Sequence, residues 1–244
     1  MAKAKMFYDK DGSLAPLKGK TVAVIGYGSQ GHAHAQNLRD SGINVIVAEL
    51  SGTHNFELAV KDGFKPISAA QAAGQGDLLI IVLPDEVQAI VYRKEIEPNL
   101  KPGKTLGFCH GFNIHFKQIV PPAGVDVVMI APKGPGHTVR SCYQEGSGVP
   151  CLIAVEKDES GTAFQTALAW GIGLGGRQRP EAVPHRQFVV VRARQLGHDH
   201  LHPAVAEDER MGVPLAAVAE DGHGLALQCR QLGVLVVIHR HSSA

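Results

Sequence analysis

The chain lacks several things that would place it quickly. None of its apolar runs approaches the roughly 20 residues of a bilayer-spanning helix, so no membrane partner is expected. Charge of one sign is also missing: 24 Lys and Arg face 23 Asp and Glu, a net +1, which leaves no electrostatic case for nucleic acid or an acidic membrane surface. Its four cysteines, Cys109, Cys142, Cys151 and Cys229, have no metal-ligand spacing, and Met-Ala-Lys-Ala-Lys at the start lacks the apolar centre of a signal peptide. A reducing, cytoplasmic setting is the expectation. What remains is a chain of 244 residues, 44% hydrophobic, with enough apolar material for one large or two small cores.

The feature that stands out is Val22-Ala-Val-Ile-Gly-Tyr-Gly-Ser-Gln-Gly-His32. Thr21 to Ile25 reads as a buried strand, and Gly26, Gly28 and Gly31 form a G-x-G-x-x-G that opens a helix. Gly26 allows the tight turn, Gly28 lets the backbone approach a pyrophosphate, and Gly31 brings helix and strand together. The free amides of the helix start then face the anion. Ile43 to Ala48 reads as a second strand, ending in Glu49, eighteen residues past Gly31. An acidic side chain there accepts hydrogen bonds from the adenosine ribose. Leu50-Ser-Gly-Thr53 brings the hydroxyls of Ser51 and Thr53 but no Arg or Lys to pair with a 2′-phosphate. A carboxylate without a compensating cation favours NADH over NADPH.

Strands and helices continue to alternate. Helices are expected over 55–62, 67–73 and 85–94, and strands at Asp77 to Leu83, Lys104 to Phe108 and Val125 to Ile130. Residues 1–20 read as a polar lead-in with a turn at Asp9 to Gly12. The pattern predicts an α/β fold, a doubly wound, Rossmann-like parallel sheet. In such a sheet ligands lie beyond the carboxyl ends of the strands. Three loops occupy that edge: Pro84-Asp-Glu-Val-Gln88, Cys109-His110 and Ala131-Pro-Lys133, the last followed by Gly134-Pro-Gly136. His110 there could relay a proton, and Lys133 could hold or polarise a carbonyl or carboxylate.

Five stretches together resemble the N-terminal domain of the ketol-acid reductoisomerase family: Phe7 to Asp11, Gly26 to His34, Pro84 to Glu86, His110 to His115 and Ala131 to Arg140. The resemblance covers residues 1 to about 171. It implies a branched-chain amino-acid biosynthetic enzyme that converts an acetohydroxy acid, such as 2-acetolactate, to a dihydroxy acid by Mg²⁺-assisted alkyl migration and hydride transfer from NADPH or NADH. It further implies cofactor contacts from Tyr27, Ser29, Gln30, Asp85, Glu86, Val87, Gln88 and Gly136, an active-site role for His110, and an oligomer of unstated size. Many members carry an Arg for the 2′-phosphate where Leu50 stands, which agrees with the lean to NADH.

The family's next domain is helical and supplies the carboxylates that bind Mg²⁺, and nothing in 172–244 resembles it. Asp199, Glu207, Asp208, Glu209 and Asp221 have no one-face helical spacing, so no metal ligand is assigned. Composition changes as well: all 13 lysines lie at or before Lys157, while 8 of 11 arginines lie at or after Arg177. His198, His200, His202, His239 and His241 crowd a stretch without Lys, Asn, Thr or Tyr. The expected organisation is therefore an NAD(P)-binding domain over 1–176 and an irregular tail over 177–244, with a reading-frame change near Gly171–Gly176 as its origin. Only short elements are expected in the tail, at Gln187–Arg192 and Leu232–Ile238. Three functions stay open: a ketol-acid reductoisomerase incomplete in this chain, a catalytically silent dinucleotide-binding module, and a small oxidoreductase using His110 and Lys133 without metal.

Overall fold

The computed structural model describes residues 5–8, 11–175, 187–190, 225–229 and 234–238. The turn expected at Asp9, the tail's histidines and acidic residues, and the junction at 176–177 lie outside them. Two units result, one spanning Lys5–Val191 and the other Met1–Ala4 with Arg192–Ala244.

The first unit is built on β2 (Thr21–Ile25), α1 (Ser29–Asp40), β3 (Asn44–Ala48), α2 (His54–Lys61), α3 (Ala69–Gln75), β4 (Leu78–Ile81), α4 (Asp85–Val91), β5 (Thr105–Phe108), α5 (Phe112–His115), β6 (Asp126–Pro132), α6 (Gly136–Gln144), β7 (Cys151–Lys157) and α7 (Ala163–Leu174). A short β1 (Lys5–Tyr8) precedes them and β8 (Gln187–Val190) follows. The sheet runs β1-β8-β7-β6-β5-β4-β2-β3. Strands β3, β2, β4, β5 and β6 are parallel. The expectation of a parallel sheet holds for these five. The edge beyond them is mixed, since β7 runs antiparallel to β6, β8 parallel to β7 and β1 antiparallel to β8. The second unit shows an antiparallel pair, β9 (Leu225–Cys229) with β10 (Val234–Ile238).

Side-chain alternation explains why helices cover both faces. Val22, Val24, Leu78 and Ile80 enter one core with Leu38, Leu168 and Trp170, whereas Ala23, Ile25, Leu79 and Ile81 enter another with Ala72, Ala73, Tyr92 and Ile96. Continuous apolar runs such as Leu78 to Ile81 are what a sheet buried on both sides requires. From β2 the chain goes outward to β3, then crosses back to β4 on the other flank of β2. The glycine loop at the end of β2 thus stands where the strand order reverses.

Local signals set the helix ends. Thr53 caps α2 by accepting the Phe56 amide, and Ser68 with Gln71 forms a capping box on α3. At the other end of α3, the Lys104 ammonium donates to the carbonyls of Ala73, Gly74 and Gly76 at 2.5–3.0 Å. The helix expected over 85–94 stops at Val91 and continues as a π-helical segment, Tyr92–Ile96. A 3₁₀ turn, Glu97–Asn99, follows, and its Pro98 has no N–H to extend the ladder further. Among the described residues no helix is long and apolar enough to cross a membrane.

Candidate functional site

The glycine loop is held by backbone against backbone. Gly26 has φ +102°, and a Cβ there would meet Val82 O at 3.1 Å. A Cβ on Gly31 would overlap the Gly26 carbonyl. Gly28 differs: its missing side chain leaves open space, the nearest atom being Asn55 Nδ2 at 3.9 Å. Among the described residues nothing demands glycine at 28, so the open face is where a pyrophosphate would fit, at the start of α1.

Glu49 closes one side of this loop. Its Oε2 accepts the Tyr27 amide at 2.7 Å, and its Oε1 accepts the Leu50 amide at 2.8 Å. An ionised carboxylate offers about four acceptor positions, so both oxygens keep capacity for ribose hydroxyls. Tyr27 contributes only backbone here. Its ring is buried at 1% exposure. The phenol donates to Asp62 at 2.9 Å and accepts from Gln36, and burial pushes its pKa up. Tyr27 thereby ties both ends of the segment from Glu49 to Asp62 to the glycine loop. Of the two hydroxyls expected to help, Thr53 is committed to the α2 cap and to Leu50 O, while Ser51 is exposed on the turn.

Ser29 and Gln30 connect this loop to the one after β6. Gly136 N donates to Ser29 Oγ at 3.2 Å, and Gln30 Nε2 donates to Gly134 O at 2.9 Å. Gly136 is buried, and a Cβ on it would overlap the Ser29 carbonyl. Its glycine is demanded by this docking of two helix starts, a reason the sequence could not supply. Among the described residues Gln30 Oε1 is buried without a partner, an acceptor left over at the loop.

On the neighbouring strand ends, His110 Nε2 lies 2.8 Å from Asp85 Oδ1, both side chains being nearly half exposed. Gln88, by contrast, is 3% exposed, donating to Leu83 O at 2.7 Å and to Asp85 Oδ1 at 3.2 Å. Asn113, which sequence reasoning left without a role, is 1% exposed and donates to Gln88 Oε1 at 3.0 Å. Its place in the His110 to His115 motif was the only signal for it. Glu86 and Val87 face outward on the first turn of α4. Lys133 follows β6 and is exposed; its charge opposes the rise that burial imposes on the thiols of Cys109, pushed up to about 12, and Cys151. Both thiols are therefore protonated near neutrality and are poor nucleophiles.

Behind Cys109 lies a second group that the sequence did not single out. Trp170 Nε1 donates to His34 Nδ1 at 3.2 Å, and His34 Nε2 lies 3.7 Å from Cys109 Sγ. An indole N–H can only donate, so His34 is neutral with its proton on Nε2. Burial, with a smaller contribution from His32, lowers its pKa to about 3. Among the described residues no group of three or more His, Cys, Asp or Glu side chains is arranged to hold a metal ion.

Residues 16–179 match the family model described as acetohydroxy acid isomeroreductase, NADPH-binding domain. The structure is similar to an NADH-preferring ketol-acid reductoisomerase from an uncultured archean, with 44% identity and a TM-score of 0.69, over 77% of this chain and 56% of that one. It also resembles a semialdehyde dehydrogenase NAD-binding protein from Cupriavidus necator, at 17% identity and TM-score 0.55, over 71% and 62% of the two chains. A third similarity is to Plasmodium falciparum pyrroline carboxylate reductase, at 16% identity and TM-score 0.52, over 73% and 59%. The latter two speak to the fold alone. This chain spans less than two thirds of the length of each.

Proposed function

Because the chain belongs to the acetohydroxy acid isomeroreductase (ketol-acid reductoisomerase) family, we propose that residues 1–176 form its dinucleotide-holding domain, with NADH as the favoured cofactor. The reaction served is conversion of 2-acetolactate to 2,3-dihydroxyisovalerate in branched-chain amino-acid biosynthesis, in a cytoplasmic setting. The observation that carries the cofactor reading is the Glu49 carboxylate, fixed by the Tyr27 and Leu50 amides beside the open face of Gly28. A carboxylate held there accepts from ribose hydroxyls and repels a 2′-phosphate. Leu50, 73% exposed, offers no cation to offset that repulsion.

When bound, the dinucleotide supplies the hydride. The chain's own residues hold it at Gly26 to Gly31, keep the adenosine end at Glu49, and present His110 and Lys133 at the ends of β5 and β6. There His110 moves a proton, and Lys133 holds the carboxylate or carbonyl of the substrate. The family's alkyl migration also uses Mg²⁺. Among the described residues no group of three or more His, Cys, Asp or Glu side chains is arranged to hold it. We propose that this chain by itself holds cofactor without completing the reaction. The silent binding module is the second reading.

The test is a fluorescence titration with NADH and NADPH, then incubation with 2-acetolactate, Mg²⁺ and each cofactor. Tighter binding of NADH by about tenfold, equivalent to ~1.4 kcal/mol, with no turnover, is the expected result. Tighter binding of NADPH overturns the cofactor preference. Turnover overturns the incomplete reading, and reduction of a simple 2-keto acid without Mg²⁺ supports a metal-independent oxidoreductase instead. Leu50→Arg should narrow the gap between the two cofactors.

A further inference from the structure

His110 stands on the loop after β5 and Asp85 at the start of α4, and sequence reasoning gave them separate tasks, one in catalysis and one at the cofactor. The structure joins them through a continuous series of hydrogen bonds from the core to the cleft. At the buried end, Asn113 Nδ2 donates to Gln88 Oε1 at 3.0 Å and to Asp85 O at 3.4 Å. These two acceptors settle which way the Asn113 amide faces. Gln88 must then present its oxygen to Asn113 and its nitrogen to Leu83 O and Asp85 Oδ1. The same order of donors makes Asp85 Oδ1 an acceptor. His110 Nε2, 2.8 Å from that oxygen, must therefore be a donor. With the proton on Nε2, the neutral ring keeps its lone pair on Nδ1.

We propose that Asp85 and Gln88 are positioning residues for His110, selecting the Nε2–H tautomer so that Nδ1 is the proton acceptor offered to a substrate hydroxyl. The substrate class that such an acceptor suits is a hydroxy acid, whose hydroxyl would meet Nδ1. This inference rests on the functional reading above for the presence of such a substrate, but the tautomer itself does not depend on it. Burial is what gives the arrangement its force. Gln88 and Asn113 are almost wholly enclosed, and turning either amide over would set its oxygen against another acceptor, Leu83 O for Gln88 and Asp85 O for Asn113. That is a worse arrangement than the present one, in which only Asn113 Oδ1 lacks a partner among the described residues of this series. Asp85 is anchored from behind while its front remains open to His110. A surface Asp–His pair without such backing would exchange freely among rotamers.

The test is long-range ¹H–¹⁵N NMR of the imidazoles in the full chain at pH 8.5, with His110 assigned by loss of its signals in His110→Gln. In the wild type the two ring nitrogens of His110 should show the full separation of a protonated Nε2 and a bare Nδ1. Asp85→Ala should collapse that separation towards the average of two exchanging tautomers. Asp85→Asn should preserve it, because Gln88 still requires an acceptor at that point and the amide oxygen of the replacement side chain satisfies both donors. Gln88→Met should reduce the separation while Asp85 remains in place, an effect that mere packing would not produce. A wild-type ring already averaged, or carrying its proton on Nδ1, overturns the proposal, and that result needs no variant to fold. So does Asp85→Ala with unchanged shifts. NADH titration of the same samples keeps the two ideas apart: absent NADH binding with the Nε2–H tautomer intact rejects the cofactor reading alone.

Discussion

Acid should loosen this fold through one buried ring. His34 is fully enclosed, accepts from Trp170 and sits 3.7 Å from Cys109 Sγ. Its pKa falls from 6.5 in the unfolded chain to about 3 in the fold, chiefly because burial penalises the imidazolium. Between those values the unfolded chain binds a proton that the native chain refuses. The stabilisation is therefore complete above pH 6.5 and is lost as pH falls towards 3, at about 1.4 kcal/mol per pH unit. From pH 7.5 to pH 5.0 the loss is about 2 kcal/mol, a sizeable part of the ~5–15 kcal/mol that holds a typical domain together. The chain's single tryptophan is Trp170, so its fluorescence reports unfolding from beside the titrating ring. Urea titrations at the two pH values would compare the wild type with His34→Asn, which offers an acceptor but no group that titrates. Other histidines and carboxylates contribute equally to both proteins and cancel in the difference. The wild type should lose about 2 kcal/mol more than the variant over this interval. Equal losses, within about 0.5 kcal/mol, would refute the reasoning. Should His34→Asn fail to fold, the wild-type His34 resonances serve instead, since titration of that ring between pH 5.5 and 7.5 would refute it equally.

Two further outcomes follow from backbone packing. Gly136→Ala places a methyl group against the Ser29 carbonyl, which should cost about 3 kcal/mol or more, beyond the usual ~1–3 kcal/mol of overpacking because backbone cannot yield as a side chain does. It should also weaken NADH in fluorescence titration by displacing Ser29 and Gln30; a variant as stable and as tight-binding as the wild type contradicts the docking of the two loops. Lys104→Met strips the end of α3 of a donor to three carbonyls, and urea unfolding should show a loss of about 1–3 kcal/mol. An unchanged midpoint would mean that water replaces the ammonium at no cost.

The strands of the parallel core were legible because both of their faces are buried. Leu78 to Ile81 has no polar residue to mislead, and Glu49 falls at a distance from Gly31 that the geometry of one βαβ turn dictates. The mixed edge was not legible, because the direction of β7 depends on how it pairs with β6 and not on its own residues. The π-helical turn after Val91 was not legible either, since Tyr92 to Ile96 contains no Gly or Pro to signal a change of ladder. Among the candidate site residues, residue types pointed to the glycine loop, Glu49, His110 and Lys133. They did not announce that Asp85 faces His110, that Gly136 is a glycine for the sake of Ser29, or that Tyr27 buries its ring against Asp62 and Gln36.

By itself, then, the sequence determined the alternation of strand and helix, the loop built for a dinucleotide and the family to which the chain belongs, because each of these depends on residues close together in the chain. Only the tertiary structure decided the pairings across strands: Glu49 with the Tyr27 amide, His110 with Asp85, His34 with Trp170. Those partners lie 22 to 136 positions apart. Their hydrogen-bonding roles are set by what the surrounding core leaves each polar atom to meet.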